Sequence, residues 1–243
     1  MRLIWLDEVD STNSYLERNA RDIADTVMIA ARKQTAGHGQ RGNSWEAAPD
    51  KNLTFSVLYH PKEFKAIDQF AISEATALAV TDMLALHGIS ANVKWPNDIY
   101  ASDRKICGIL IKHSLGGKEI SHSIIGVGIN INQTEFLSDA PNPVSLKQLT
   151  GENFDLESLA TETAECLSRR LEMIYGSRHR RELHNEFLCR LWRGDGGYYP
   201  FRDTASGENF EAAIDAIGPD GLMTLRLHDD SIRSYRFKEV AFL

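Results

Sequence analysis

Residues 26–59, TVMIAARKQTAGHGQRGNSWEAAPDKNLTFSVLY, contain three glycines at the spacing of a dinucleotide-binding turn. Gly37, Gly39 and Gly42 match G-x-G-x-x-G, but that pattern needs a strand before it and a helix after it. Here an apolar, β-branched run lies on each side, and Pro49 interrupts the segment between them, so strand, loop and strand are predicted. Without a helix N-terminus to hold a pyrophosphate, a Rossmann unit is excluded. Two interpretations stay open: a flexible hairpin with glycines at positive φ, or a nest of backbone N–H groups around an anion.

Composition is that of an ordinary globular protein, with 243 residues, 42% of them hydrophobic and 25% charged. The net charge of −7 argues against broad nucleic-acid binding, and neither a signal peptide nor a membrane span is expected. Three dispersed cysteines form no disulfide framework, which favours the cytoplasm. The eight histidines match no H-E-x-x-H motif, so a zinc site is not expected.

Hydrophobic patterning predicts an α+β fold with a mixed, largely antiparallel sheet and flanking helices. Helices are predicted over residues 67–87 and 156–175, the first ending at Gly88, and GGKE at 116–119 predicts a hairpin turn. From Tyr198 onward only short strands are expected, which predicts a small β-barrel. The predicted domains are residues 1–193 and 194–243.

Three further stretches carry polar groups suited to a ligand site. DSTN at 10–13 lies where a strand meets a helix; taken alone it favours helix capping. KWPND at 94–98, followed by Lys105, is interpreted either as a ligand site or as a proline turn with solvated lysines. GVGIN at 126–130 is interpreted either as a strand whose glycines let a ligand lie against the backbone, or as a β-bulge.

Taken together and in this order, these stretches resemble the biotin protein ligases, and the resemblance covers the whole chain. The family has a Ser-Thr-Asn strand end, a glycine-rich loop ending in Trp, a K-W-P-N-D segment with a following Lys, and a G-x-G-I-N strand. It implies a sheet like that of class II aminoacyl-tRNA synthetases and a C-terminal SH3-like barrel. The form without an N-terminal DNA-binding domain fits best, so DNA binding is not expected.

The resemblance implies that biotin is activated by ATP as biotinyl-5'-AMP and then passed to a lysine of biotin carboxyl carrier protein. The implied catalytic residues are Lys105 and Asp98, with Asp98 holding Mg²⁺ on the triphosphate. The implied biotin-binding residues are Ser11, Thr12, Asn13, Gln34, Gly37, His38, Gly39, Gln40, Lys105, Gly108 and Gly126. The implied ATP- and adenylate-binding residues are Gly39, Gln40, Arg41, Trp45, Asn97, Lys105 and Asn130.

In this family the glycine loop is a lid that closes over biotin and protects the hydrolysable anhydride from water. The loop usually carries arginines where this chain has His38 and Gln40, and Arg41 is the nearest remaining cation. A lipoate protein ligase-like acyltransferase and a non-catalytic biotin-binding module are the alternatives. Family members occur as monomers and dimers, so a homodimer is compatible with the resemblance.

Overall fold

The computed structural model describes residues 1–40, 43–137 and 142–243. Within these residues, seven strands form one sheet in the order β1-β2-β3-β7-β6-β5-β4. The strands are β1 Arg2–Val9, β2 Val27–Gln34, β3 Leu53–Tyr59, β4 Asn92–Lys94, β5 Asp98–Ala101, β6 Arg104–Gly116 and β7 Glu119–Ile129. Only β1 and β2 pair in parallel, and every other neighbouring pair in this sheet is antiparallel. The mixed, largely antiparallel sheet is therefore confirmed.

Helices cover the two faces of this sheet unequally. They are α1 Thr12–Asn19, α2 Phe70–Leu86, α3 Leu146–Thr150, α4 Leu156–Glu172 and α5 Ser177–Cys189. The main core forms where α2 and its neighbours pack on the face that carries Phe55 of β3 and Ile125 of β7. On the opposite face, α1 covers only a small cluster that includes Leu16 and Ile124. The rest of that second face is left open for a site.

The helix boundaries follow local signals that the sequence shows in part. Helix α2 lies within the predicted range and ends before Gly88, whose φ of 75° suits a glycine. Asp155 caps α4 as expected, its carboxylate accepting from the Ser158 N–H at 2.9 Å. The short helix α3 was not predicted; Ser145 and Gln148 form a capping box at its start.

A second, separate antiparallel sheet lies at the C-terminus. Its five strands are β8 Tyr199–Asp203, β9 Asn209–Ile217, β10 Met223–Arg226, β11 Ile232–Tyr235 and β12 Val240–Phe242, in the order β11-β10-β9-β8-β12. This arrangement is consistent with the expected SH3-like domain. The domain boundary at 193/194 stays a prediction.

The two sheets are joined by hydrogen bonds as well as by apolar contacts. The indole N–H of Trp95, just after β4, donates to the Gly221 carbonyl at 3.0 Å. The Trp95 ring also meets Phe237 edge-on, with ring centroids 6.3 Å apart. The K-W-P-N-D segment thus lies directly beside the second sheet.

Candidate active site

A cavity of about 910 Å³ opens on the second face of the main sheet. Its floor is formed by β3, β6 and β7, and residues 38–40 and 43–46 cover one side. Of the predicted site residues, the structure brings together Thr12, Asn13, Gln34, His38, Gly39, Gln40, Trp45, Asn97, Asp98, Lys105, Gly108, Gly126 and Asn130. This volume suits a ligand of cofactor size.

Two predicted residues, Ser11 and Gly37, do not line the cavity. Ser11 is buried and occupies the N-cap position of α1, but its side chain makes no capping hydrogen bond. A Cβ on Gly37 would lie 2.7 Å from the Trp45 carbonyl oxygen, so this glycine lets the two arms of the loop meet. Both residues position the site rather than face it. Arg41 and Gly42 lie outside the described residues.

Thr12 and Gln34 form a polar corner of the cavity with Ser56. The Thr12 N–H donates to Gln34 Oε1 at 2.8 Å, and the Thr12 and Ser56 hydroxyls lie 2.7 Å apart. Ser56 is fully buried and was not predicted; it lies on β3, where only the alternation of Thr54, Phe55 and Ser56 could have suggested it. These fixed hydroxyl and amide groups suit a neutral, polar ligand end.

Asn13 presents an unsatisfied buried acceptor beside this corner. Its side chain packs on the bare backbone of Gly126, where a Cβ would lie 2.8 Å from the Asn13 Cγ. The Oδ1 atom is buried and has no hydrogen-bond partner in the described part of the chain. Because a buried polar atom without a partner costs free energy, a ligand donor would be stabilised there.

Trp45 lies over the glycines of the central strand pair. Gly108 of β6 and Gly128 of β7 face each other in register, and both carry the indole ring directly on their backbone. A Cβ on Gly108 would lie 2.9 Å from the Trp45 Cζ3 atom, and a Cβ on Gly128 would overlap the ring. The space that Gly108 and Gly126 were expected to leave for biotin therefore holds Trp45 and Asn13 in this structure. Their contact with biotin stays a prediction.

The glycine loop is a tight hairpin, with a β-bridge between His38 and Ser44. The Gly39 N–H donates to the Asn43 carbonyl at 2.7 Å, and the Trp45 N–H donates to the Gly37 carbonyl at 3.0 Å. Neither Gly37 nor Gly39 has a positive φ, so for these two the open interpretation of left-handed hairpin glycines is wrong. Close approach of the chain to itself explains them instead.

Lys105 and Asp98 form an ion pair at the cavity wall. Their Nζ and Oδ1 atoms are 2.8 Å apart, and each side chain is about one quarter exposed, at 23% and 24%. The backbone of Lys105 is held on both sides, since its N–H donates to the Asn142 carbonyl and its carbonyl accepts from the Val144 N–H. The ammonium is thus fixed in position but accessible to an anion.

Lys94 is a second lysine in the cavity, enclosed by aromatic rings. Its Nζ lies 4.8, 5.3 and 5.4 Å from the ring centroids of Tyr100, Trp192 and Phe242, and it donates to the Tyr100 hydroxyl at 3.0 Å. Burial lowers the pKa of Lys94, while Asp98 opposes this shift. Lys94 belongs to the quoted K-W-P-N-D motif, but no site role was predicted for it.

Asn97 and Asn130 are occupied with backbone groups. The Asn97 amide donates to the Ile109 carbonyl on β6, and the Asn130 amide donates to the Val144 carbonyl at 3.1 Å. Asn130 therefore holds the chain beside Lys105 in place. Its expected contact with adenine is left as a prediction.

No group of three or more His, Cys, Asp or Glu side chains able to hold a metal ion occurs among residues 1–40, 43–137 and 142–243. Asp98 is the carboxylate that pairs with Lys105. Mg²⁺ is commonly held by one or two carboxylates together with substrate phosphates, so the Asp98 carboxylate is chemically suited to hold this ion.

The C-terminal sheet supplies a wall of the cavity that the sequence did not indicate. Its lining residues are Thr204, Phe237, Lys238, Val240, Ala241 and Phe242. They are separated from the quoted motifs by at least 70 residues and belong to no recognisable pattern. Only the contact between the two sheets brings them to the site.

Comparison with known proteins identifies the family. Residues 5–130 match the Biotin/lipoate A/B protein ligase family. The biotin–[acetyl-CoA-carboxylase] ligase of Paracoccus denitrificans is 30% identical over 68% of this chain and 70% of its own length. The bifunctional ligase/repressor BirA of Bacillus spizizenii is 30% identical over 69% of this chain. The chain spans about half the length of that relative, with 53% covered.

Solved structures agree on the fold. A biotin protein ligase from Aquifex aeolicus, in complex with biotin and ATP, superposes with a TM-score of 0.82 at 24% identity, covering 99% of this chain and 97% of that one. No helix in the described part of the chain is long and apolar enough to cross a membrane. On the family match and the shared motifs, the chain belongs to the Biotin/lipoate A/B protein ligase family.

Proposed function

We propose that this protein is an ATP-dependent biotin protein ligase. It activates biotin as biotinyl-5'-AMP and transfers the biotinyl group to a specific lysine of a biotin carboxyl carrier protein. The observation that carries the proposal is the Lys105–Asp98 pair at 2.8 Å, set in a cavity whose other side offers fixed, uncharged polar groups. The name of the Paracoccus denitrificans relative, a biotin–[acetyl-CoA-carboxylase] ligase, supports the same substrate.

In the first step a carboxylate of biotin attacks the α-phosphate of ATP, and pyrophosphate leaves. Two anions must approach each other, so a fixed cation between them lowers the barrier. Lys105 is that cation, because its backbone is held by Asn142 and Val144 while its ammonium faces the cavity. Asp98, which pairs with this ammonium, is the carboxylate that would hold Mg²⁺, and the ion would supply positive charge to the phosphates of ATP.

The uncharged end of biotin binds in the polar corner. The hydroxyls of Thr12 and Ser56 and the amide of Gln34 are linked by hydrogen bonds, and Asn13 Oδ1 awaits a donor. A ureido group carries two N–H donors and one carbonyl acceptor, which matches this set. The apolar ring system then lies along the strand backbone towards Lys105.

The loop of residues 37–45 acts as a lid over biotin and then over the adenylate. Its described residues are joined by hydrogen bonds from the Gly39 N–H to Asn43 and from the Trp45 N–H to Gly37, and the Trp45 ring packs on Gly108 and Gly128. Closure excludes water from a mixed anhydride that water would hydrolyse. Backbone amides in residues 37–45 should therefore exchange hydrogen more slowly with biotin bound.

In the second step the carrier lysine attacks the adenylate carbonyl, and AMP leaves. We place this activity in the cytoplasm, because all three cysteines are free. The lysine-bearing carrier is a biotin-accepting domain of acetyl-CoA carboxylase or a related carboxylase.

The test is isotope exchange between pyrophosphate and ATP, with biotin or lipoate added in turn. Exchange that requires biotin supports the proposal. Exchange with lipoate alone would identify a lipoate ligase-like acyltransferase, and no exchange with either would identify a binding module. Labelling of a purified carrier domain, against its Lys→Arg variant, then tests the transfer step.

A further inference from the structure

The turn of residues 236–239 is a rigid part of the C-terminal cavity wall. Thr204 donates from its hydroxyl to the Lys238 carbonyl at 2.7 Å, and its N–H donates to the Glu239 carbonyl at 3.0 Å. The Glu239 carboxylate in turn accepts from the Arg236 N–H at 2.6 Å. These bonds hold Lys238 at a φ of 71°, a left-handed conformation that a long side chain seldom adopts.

This turn lines the same cavity as the Lys105–Asp98 pair and contacts the segment that follows β4 of the main sheet. Phe237 meets the ring of Trp95, whose indole is hydrogen-bonded to Gly221. Trp95 precedes Asp98 by three residues. The Lys238 side chain therefore lines the same cavity from the other sheet.

Three lysines line the cavity in the described part of the chain, and two of them already have partners. Lys105 is paired with Asp98, and Lys94 is enclosed by aromatic rings and bonded to the Tyr100 hydroxyl. Lys238 forms no ion pair within 4.0 Å with any described carboxylate; its recorded neighbour is the Phe237 ring, 5.6 Å from Nζ. Its charge is available to an anion.

A polyphosphate in this cavity needs several positive charges. The described part of the glycine loop presents His38 and Gln40 to the cavity, and neither side chain is a permanent cation. We propose that Lys238 binds the β- and γ-phosphates of ATP, so that the C-terminal domain adds a cation to that of Lys105. This proposal rests on the proposed function, because it takes ATP to be the nucleotide in the cavity.

The experiment compares the affinities of the whole protein for MgATP and for AMP, by titration calorimetry with biotin present. Lys238→Met keeps the stem and removes the charge, and Lys238→Arg restores it. Losing one charged hydrogen bond should weaken MgATP binding by about tenfold or more. AMP binding should be unchanged, and the arginine variant should behave like the parent. Arg236→Met is the matched control, since Arg236 lies in the same turn but does not line the cavity.

A double variant sharpens the test. If Lys238 supplies a positive charge that an arginine in the loop could also supply, Gln40→Arg should restore the MgATP affinity of Lys238→Met. Equal weakening of AMP and MgATP, an unchanged MgATP affinity, or the same loss in Arg236→Met would each overturn the proposal. MgATP binding by the parent without biotin-dependent exchange would overturn only the proposed function, whereas a parent that binds no MgATP would overturn both.

Discussion

The two walls of the cavity differ in how they are encoded. The sheet wall consists of glycines and small polar residues on neighbouring strands, and several of them, such as Gly126 and Gly128, lie in a short motif. The C-terminal wall consists of Phe237, Lys238 and the last strand, which reach the cavity only because the second sheet docks on Trp95. The residues of the sheet wall can be found from local sequence motifs, whereas those of the C-terminal wall reach the cavity only through long-range contacts.

The two walls therefore have different expected roles: the sheet wall carries the groups that are proposed to act on the substrates, and the C-terminal wall supports the cavity. The sheet wall holds the fixed ammonium and the uncharged polar corner, so damage there should affect reaction steps. The C-terminal wall is held by a few hydrogen bonds between the sheets, so damage there should first affect stability and nucleotide affinity. The variants below test this division, in order of decreasing expected effect.

Lys105→Ala should have the largest effect, because in the proposed mechanism it removes a preorganised cation from between two reacting anions. We expect the rate of adenylate formation in a single turnover to fall by about 10²–10³-fold, with little change in unfolding free energy. Lys112→Ala is the matched control: Lys112 lies on the same strand but pairs with Glu17 at the surface. Adenylate formation by Lys105→Ala at the rate of Lys112→Ala would remove Lys105 from the mechanism.

The order of the motifs was enough to predict the main sheet, and most of the site residues that it predicted do line the cavity. The local rules behind them are short in range: alternation along a strand, a cap, or a hairpin turn. Such rules do not say what fills the space over a glycine. Gly126 was expected to contact biotin, but the Asn13 side chain packs on it in this structure. Ser11 was also expected to contact biotin, but it does not line the cavity.

Gly128→Ala should have the next largest effect. The new methyl group would overlap the Trp45 indole, which must then leave its position over the strand pair. Overpacking of this kind costs about 1–3 kcal/mol of folding stability. We expect the displaced indole also to weaken MgATP binding in the titration described above. Gly116→Ala, on the same hairpin, is the control, because its nearest neighbour, Ser121 Cβ, is 3.7 Å away and can accept a methyl group. Equal affinities in the two variants would show that the Trp45 position is unimportant for nucleotide binding.

Trp95→Phe should loosen the C-terminal wall without touching the reacting groups. The variant loses the indole hydrogen bond to Gly221, so the unfolding free energy in urea should fall by about 1 kcal/mol. Amides of residues 236–239 should then exchange hydrogen faster, whereas those of β7 should not. Trp5→Phe, on the edge strand β1, serves as the control for the loss of an indole. If both variants left residues 236–239 equally protected, the two sheets would not be coupled through Trp95.

The smallest expected effect is a pH dependence of the unfolding free energy, and it arises from His184. Nδ1 of this α5 residue lies 2.5 Å from the Glu74 carboxylate on α2, and the backbone of Ile217 in the second sheet also favours the protonated form of His184. The hydrogen bond to Glu74 raises the pKa of His184 above 6.5, and burial raises the pKa of Glu74 above 4.5. Both groups thus bind protons more tightly in the folded state than in the unfolded chain.

The sign of the effect follows from that preference. A group whose pKa is raised on folding stabilises the fold below its unfolded pKa, and this contribution is lost as the pH rises through the folded value. The stability due to His184 should therefore be present at pH 6 and decline above pH 6.5. In urea unfolding, the difference between the parent and His184→Gln should be larger at pH 6 than at pH 8, and Glu74→Gln should remove most of the same dependence. A difference that grows towards pH 8 would contradict this assignment, and the tie between α5 and the C-terminal wall would then rest on uncharged contacts alone.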